Sequence, residues 1–383
     1  MKKIIYLDHA ATTPIRKEVI ETLNEVYEEY YGNPSSLHRL GQEAGMKLNE
    51  GRQTIANIFK CLPEEIIFTS GGTESDNLAI KGIAEAHKKG HIITSKIEHH
   101  AVLHTAEDLK ERGFDVTFLD PDEYGMIHPE TLEKEIRDDT VLVSIMYANN
   151  EVGTINPIPE LAKICNKKNI LFHTDAVQVA GTLDLDTKKL NVDALSISAH
   201  KFYGPRGVGV LYLKKGTEIR SQQLGGAQEF NKRASTENLA GILGMAKALE
   251  LANKEKEIEN KRLTELRDYC FERTKKEIPD IKINGHLTKR LPNNINISSA
   301  KIEGESILLC LDNEGICVST GSACTSESLD PSHVLMAMKI PIELAHSSLR
   351  LSLGKSNTKE DIDKTIDVLK KVVKNLREIS PIK

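Results

Sequence analysis

A chain of 383 residues, 39% hydrophobic and 28% charged, has the make-up of a soluble globular protein with room for a large α/β domain and a smaller one. Its formal net charge of −5 gives no basic footprint for nucleic acid, and no apolar run approaches the ~18–20 residues of a membrane span. The apolar part of "MKKIIYLDHAATTP" is too short for a signal peptide, so a cytoplasmic protein with no nucleic-acid or membrane partner is expected.

In chain order, short apolar runs alternate with helical patterns. "EIIFTS", "HIITS", "DVTFLD", "TVLVSIM", "ILFHTDA", "ALSIS" and "GVGVLYL" read as strands; "TESDNLAIKGIAEAHKKG", "HHAVLHTAEDLKERG" and "IPELAKICNKKN" read as the helices between them. Runs that are apolar without alternation suit strands covered on both faces, as in a parallel sheet between helices. A long charged helix follows at about residues 237–277, and then a mixed region. The final helix carries Ile362, Ile366, Leu369, Val373 and Leu376 at helical spacing. The pattern predicts a doubly wound large domain over 15–260 and a smaller α/β domain made of 1–14 and 261–383.

Six cysteines occur and none forms C-x-x-C, so no zinc or thioredoxin-like motif is indicated. Cys310 and Cys317 sit among apolar residues and read as packing cysteines. Cys324, in "STGSACTSES", has only Ala323 as an apolar neighbour, which does not suit a core thiol.

Ligands of such sheets bind at the carboxyl ends of the strands. "IIFTSGGTESDN" runs from a strand through Gly71 and Gly72 into a helix beginning near Thr73, a cradle for an anion or an ordinary helix cap. "ILFHTDAVQ" ends on Asp175 and Gln178, and a buried carboxylate there needs a cation. "ALSISAHKFYGPRG" supplies Ser198, His200 and Lys201, the last either a solvated lysine or a Schiff-base amine. "IMYANNEVGT" supplies Asn149, Asn150 and Glu151, by itself a turn. Together, an anion cradle, an acid and a lysine at neighbouring strand ends form the set that pyridoxal 5′-phosphate needs.

"YLDHAATTP", "GNPSSLH", "FTSGGTESDN", "EHHAVL", "NNEVG", "HTDAVQ", "SAHKFYGPRGVG", "STGSACTS" and "ELAHSSLRLSLG" occur in one order along nearly the whole chain. In these motifs the sequence resembles the NifS/IscS-type cysteine desulfurases, pyridoxal-phosphate enzymes of fold type I in the class V aminotransferase group. The resemblance implies a large domain with a mainly parallel sheet and a smaller C-terminal domain bearing Cys324. It implies an enzyme that takes sulfur from L-cysteine, releases L-alanine and leaves a persulfide on Cys324 for an acceptor protein. Iron–sulfur scaffolds and tRNA-thiolation enzymes are the acceptors it suggests.

By that resemblance Lys201 carries the cofactor, Asp175 pairs its ring nitrogen and Gln178 meets its phenolic oxygen. Gly72, Thr73, Ser198 and His200 hold the phosphate; Asn150 lies beside cofactor and substrate, and Arg350 clamps the substrate carboxylate. His99 matches the histidine stacked on the ring, with His100 the neighbouring alternative, and it could take a proton from Cys324. Thr236 matches a threonine reaching the phosphate of the other subunit, which implies a homodimer. Ser235 stands where the family has glycine, and a positive φ there would disfavour serine. No metal site of the chain's own is implied, although Cys324 could serve transiently as an iron–sulfur ligand with a partner. A selenocysteine lyase, another class V pyridoxal-phosphate enzyme and a non-catalytic scaffold are the rival readings. The loop thiol speaks against a plain aminotransferase, and the presence of Lys201 and Asp175 against a scaffold.

Overall fold

The computed structural model describes residues 3–320 and 330–380; Cys324 therefore lies outside the described residues. The chain opens with a two-residue strand, β1 (Ile5–Tyr6), and then builds a seven-stranded sheet. Its strands are β2 (Ile66–Thr69), β3 (His91–Ser95), β4 (Asp115–Leu119), β5 (Thr140–Ser144), β6 (Leu171–Asp175), β7 (Ala194–Ser198) and β8 (Gly209–Leu213). Their order is β2-β8-β7-β6-β5-β3-β4. All pairings are parallel except the two made by β8, which runs against both β7 and β2. β2, β3, β7 and β8 are buried at every residue, because helices cover both faces.

A second sheet is formed by β9 (Ile281–Ile283), β10 (Asn294–Ser299), β12 (Ser319–Thr320) and β13 (Ser348–Ser352), in the order β12-β13-β10-β9 and antiparallel throughout. β1 instead pairs in parallel with β11 (Ile316–Cys317), joining the chain's first strand to its last third. The antiparallel sheet has a core of its own: Ile295, Ile297, Leu349 and Leu351 pack with Ile5, Leu7, Ile316 and the last helix, Lys359–Ile379. Ile362, Ile366, Leu369 and Val373 of that helix are buried and Leu376 is partly covered, as their spacing predicts.

The helix Leu239–Glu277 spans 39 residues without a break, so the division expected near residue 260 falls inside it. Its first half packs on the large core through Ile242, Met245 and Leu249, and its second half on the small core through Leu263, Cys270 and Phe271. Among the described residues, Cys165 and Cys270 are the buried cysteines. Cys310 and Cys317, read as packing cysteines, are half-buried, since apolar neighbours in sequence do not by themselves make a helix or edge-strand position a core one.

Candidate functional site

The carboxyl ends of β2, β5, β6 and β7 open onto a cavity of about 260 Å³. Its wall holds Gly72, Thr73, His99, Asn150, Asp175, Gln178, Ser198, His200, Lys201 and Arg350, ten of the residues singled out from sequence. Thr236 is exposed and does not belong to the wall in its own chain. Of the two adjacent histidines, His99 lines the cavity, whereas the ring of His100 lies against those of His104 and His333.

One end of the cavity is a helix N-terminus. β2 ends at Thr69, and the helix Gly72–His87 begins three residues later with Gly71 as its N-cap at φ +155°. β8 crosses so close that a Cβ on Gly209 would stand 2.7 Å from the Gly71 Cα, so the approach requires glycine. The amides of the first helical turn have no intrahelical acceptor and carry the positive end of the helix dipole. Thr73, Ser198 and His200 border this end. Burial and the positive charges of Lys201 and Arg206 hold His200 down at about 4, so it is a neutral hydrogen-bonding ring at neutral pH. The arrangement can hold a phosphate.

The far side is acidic. Asp175, the last residue of β6, accepts a hydrogen bond from the Val177 N–H at 2.8 Å. Burial pushes its carboxyl up to about 6, although that bond and the nearby Lys201 ammonium pull it down. Asp76 also reaches the wall; burial, with the negative charge of Asp175 second, raises its carboxyl well above the usual range. Its Oδ1 is buried with no hydrogen-bond partner among the described residues. His173 Nε2 lies 3.6 Å from that oxygen, but burial holds the ring down at about 3, so the contact is no ion pair. His173 meets the hydroxyls of Ser144 and Ser196 at 2.8 and 3.0 Å. A protonated ring nitrogen beside Asp175 would add positive charge next to these two buried carboxyls.

Lys201 follows β7 at the end of a short 3-10 turn, and its Nζ donates to the carbonyls of Ala10 and Ala11 at 2.6 and 2.9 Å. Gln178 Nε2 donates to the same Ala10 carbonyl at 3.1 Å. His99 caps the helix His100–Glu111, its Nδ1 accepting from the Ala101 N–H at 3.1 Å. That bond puts the proton of the neutral ring on Nε2. Burial first, and then the Lys201 charge, push the imidazole down to about 4. With Nδ1 taken by the Ala101 amide, Nε2 is the nitrogen of the His99 ring that carries the proton.

Arg350 lies on β13, where Ser348, Arg350 and Ser352 share the face opposite Leu349 and Leu351. It is 2% exposed, and its guanidinium donates to Asp8 Oδ1 at 2.9 Å and to the Asn150 carbonyl at 3.2 Å. Asp8, Ala10, Ala11 and Asp76 were not singled out from sequence. Asp76 was within reach, since "TSGGTESDN" puts it in the first turns of the cradle helix. The N-terminal residues were not, because their contacts are with residues some 190 and 340 positions away.

A mostly parallel sheet meeting a lysine, an acid and an anion cradle at its strand ends defines the class. The chain belongs to the Aminotransferase class-V family, which it matches over residues 5–365. Within that family it is 56% identical to "Cysteine desulfurase IscS" of Dictyoglomus turgidum, across 100% of this chain and 98% of that protein. It is 53% identical to "Cysteine desulfurase IscS" of Methanosarcina thermophila, across 99% and 94% of the two chains. Among solved structures, a "NIFS-LIKE PROTEIN" superposes with a TM-score of 0.92 at 39% identity, covering 98% of this chain and 100% of its own. "SspA in complex with cysteine" superposes at 0.82 with 34% identity, covering 92% and 99%.

Proposed function

We propose that this protein is a pyridoxal-phosphate-dependent cysteine desulfurase in which Cys324 receives the sulfur. The observation that carries the reading is a single cavity walled by Lys201, Asp175, the glycine cradle and the buried Arg350. The wall suits the cofactor at three points: a helix N-terminus for the phosphate, a carboxylate lacking a full counter-charge for the ring nitrogen, and a lysine for the aldehyde. Gly72, Thr73, Ser198 and His200 hold the phosphate, Asp175 and Gln178 the ring and His99 its face. When bound, pyridoxal phosphate supplies an electron sink for the charge released at the substrate Cα.

The chain's own residues do the remainder. Arg350 takes the L-cysteine carboxylate with its planar fork, and Asn150 lies beside it. Lys201 removes and returns the Cα proton. Cys324, as a thiolate, bonds to the substrate sulfur while the carbon–sulfur bond breaks, so L-cysteine and a thiol become L-alanine and a persulfide. A free thiol with pKa near ~8.5 is only partly ionised at neutral pH, and the Nε2–H of His99 favours a negatively charged sulfur in the cavity. An acceptor protein, an iron–sulfur scaffold or a tRNA-thiolation enzyme, then takes the sulfur. Thr236, exposed in its own chain, reaches the phosphate end of a second copy in a homodimer. Residues 15–260 form the cofactor domain, and 1–14 with 261–383 the domain that carries Cys324.

Among the described residues, no helix is long and apolar enough to cross a membrane, and no group of His, Cys, Asp and Glu is spaced to hold a metal ion. The test is the absorbance of the purified holoprotein before and after L-cysteine, with alanine and sulfide quantified. Lys201→Ala abolishes the visible band; an unchanged spectrum sinks the cofactor assignment. Cys324→Ala stops alanine release, and full release would remove Cys324 from the reaction. Selenide release that persists in Cys324→Ala while sulfide release stops would favour the selenocysteine lyase instead.

A further inference from the structure

Asp76 is an acid of the cavity wall to which the cofactor assignment gives no role. It stands on the helix Gly72–His87, is 1% exposed and still reaches the cavity. Its Oδ1 is buried without a hydrogen-bond partner among the described residues, and the neutral ring of His173 stands off at 3.6 Å. An ionised carboxylate there would leave a charged oxygen with no donor, a costly way to bury it. Asp175 is better supplied, with the Val177 N–H at 2.8 Å and the Lys201 ammonium nearby.

The groups that face Asp76 come from three parts of the sheet. β6 supplies Asp175 and His173, Glu98 adds a further acid three residues after β3, and Ser196 on β7 draws the carboxyl the other way. None of these is a cation. Two buried acids that feel each other's charge do not both ionise. The negative charge falls on Asp175 and the proton on Asp76. Part of what holds that proton is the charge of Asp175, and this is the charge that a cation seated in the cavity would answer. An opposite charge within ~4–6 Å lowers the proton affinity of a carboxyl by about ten- to a thousandfold.

We propose that Asp76 is the proton store of the ring-nitrogen site: it keeps the empty wall at one negative charge and gives its proton up when a cationic ring is seated against Asp175. The inference rests on the reading that pyridoxal phosphate occupies the cavity. The Asp76 O–H bond breaks and the carboxyl keeps the electron pair. The proton goes to the ring nitrogen where the ring arrives neutral, and to solvent where it arrives charged. The two acids then hold the ring proton more firmly than Asp175 could alone.

The test compares the cofactor-free parent with Asp76→Asn, using pyridoxal 5′-phosphate as the probe. Infrared difference spectra at neutral pH read the proton directly. The parent shows a carboxylic-acid C=O band that Asp76→Asn lacks, and the band fades in the parent as the cofactor binds. Calorimetry in buffers of different ionisation enthalpy counts the protons exchanged. The parent takes up fewer than Asp76→Asn, by up to one per cofactor bound, so its affinity gains on that of the variant by up to about tenfold for each unit rise in pH. A merely structural Asp76 would move neither the band nor the proton count. Equal proton counts, a carboxylate signature for Asp76 in the empty protein, or a band unchanged by the cofactor would each overturn the proposal. A parent that binds no cofactor would overturn the cofactor reading and this proposal with it, whereas binding with equal proton counts overturns this proposal alone. Should Asp76→Asn not fold, Asp76→Ser, also without a carboxyl, carries the same comparisons.

Discussion

Arg350 Nη2 stands 2.9 Å from Asp8 Oδ1, joining a strand of the C-terminal sheet to the chain's first turn. Its other terminal nitrogen holds the Asn150 carbonyl, and its buried Nε has no partner among the described residues. The guanidinium is thereby fixed in orientation before any substrate arrives. Arg350→Lys keeps the charge but loses the fork, and a compact ammonium cannot serve Asp8, Asn150 and a carboxylate together. The expected result is a KM for L-cysteine raised about tenfold or more, with cofactor loading unchanged, in steady-state assays of alanine release.

The buried acids give the cofactor-free protein a stability that depends on pH in a definite direction. Glu98 is pushed up to about 8 and Glu151 to about 7, in both cases chiefly by burial. A folded-state value above the unfolded one means that the folded protein holds more protons, so stability falls as pH rises through that interval. His99 and His173, held low, act oppositely, but only below their ordinary value near ~6.5. Between about pH 6.5 and 7 both acids therefore act, and from about 7 to 8 Glu98 alone, each at up to about 1.4 kcal/mol per pH unit. Urea midpoints of the cofactor-free protein should fall over that range. Glu98→Gln should flatten the fall, because its amide oxygen can keep the bonds from Ser95 and Met146 and its NH2 mimics the protonated acid. An unflattened curve would refute the assignment.

Arg52 and Glu229 form a two-pronged buried pair at 2.7 and 2.8 Å, and Glu229 also accepts from the Phe68 N–H at 2.8 Å. The guanidinium lies over the rings of Phe68 and Phe230 at 4.5 and 4.9 Å. Glu229→Ala would leave Arg52 charged, buried and unpaired, costing about 3–5 kcal/mol. Because Phe68 lies on β2 just before the cradle, phosphate-end affinity should weaken as well. Urea denaturation and a cofactor titration measure the two effects.

Ser235 has φ +141°, a region glycine enters freely and serine does not. Ser235→Gly should stabilise the protein by about 1 kcal/mol, seen as a higher thermal midpoint. A lower midpoint would mean that the serine conformation is not strained.

Much of the large sheet could be read from sequence because strands buried on both faces are written as plain apolar runs, such as "HIITS" and "ALSIS". The strand-end residues Asp175, Ser198 and Lys201 were legible for the same reason: polar groups closing an apolar run stand out. Contacts made across the whole chain were not. Nothing in "LDHAATTP" says that Asp8 will pair with Arg350 or that two alanine carbonyls will hold Lys201, since backbone acceptors carry no side-chain signature. The long helix misled in another way. Its charge pattern marked it correctly, but a helix that serves two cores gives no break in sequence where one core hands over to the other.

The pairing of Ile5 with Ile316, the Ser352 N–H bonded to the Leu7 carbonyl and the hold of Ala10 on Lys201 have a consequence for biosynthesis. Ile5 and Leu7 are made some 310 to 345 residues before the partners that fix them. A growing chain can complete its parallel sheet, yet the segment that contacts both Lys201 and Arg350 gains its pairing with β11 and with Ser352 only once residue 352 has been made. The pocket wall is therefore completed by contacts between stretches made far apart in time, and the parallel sheet alone does not supply it.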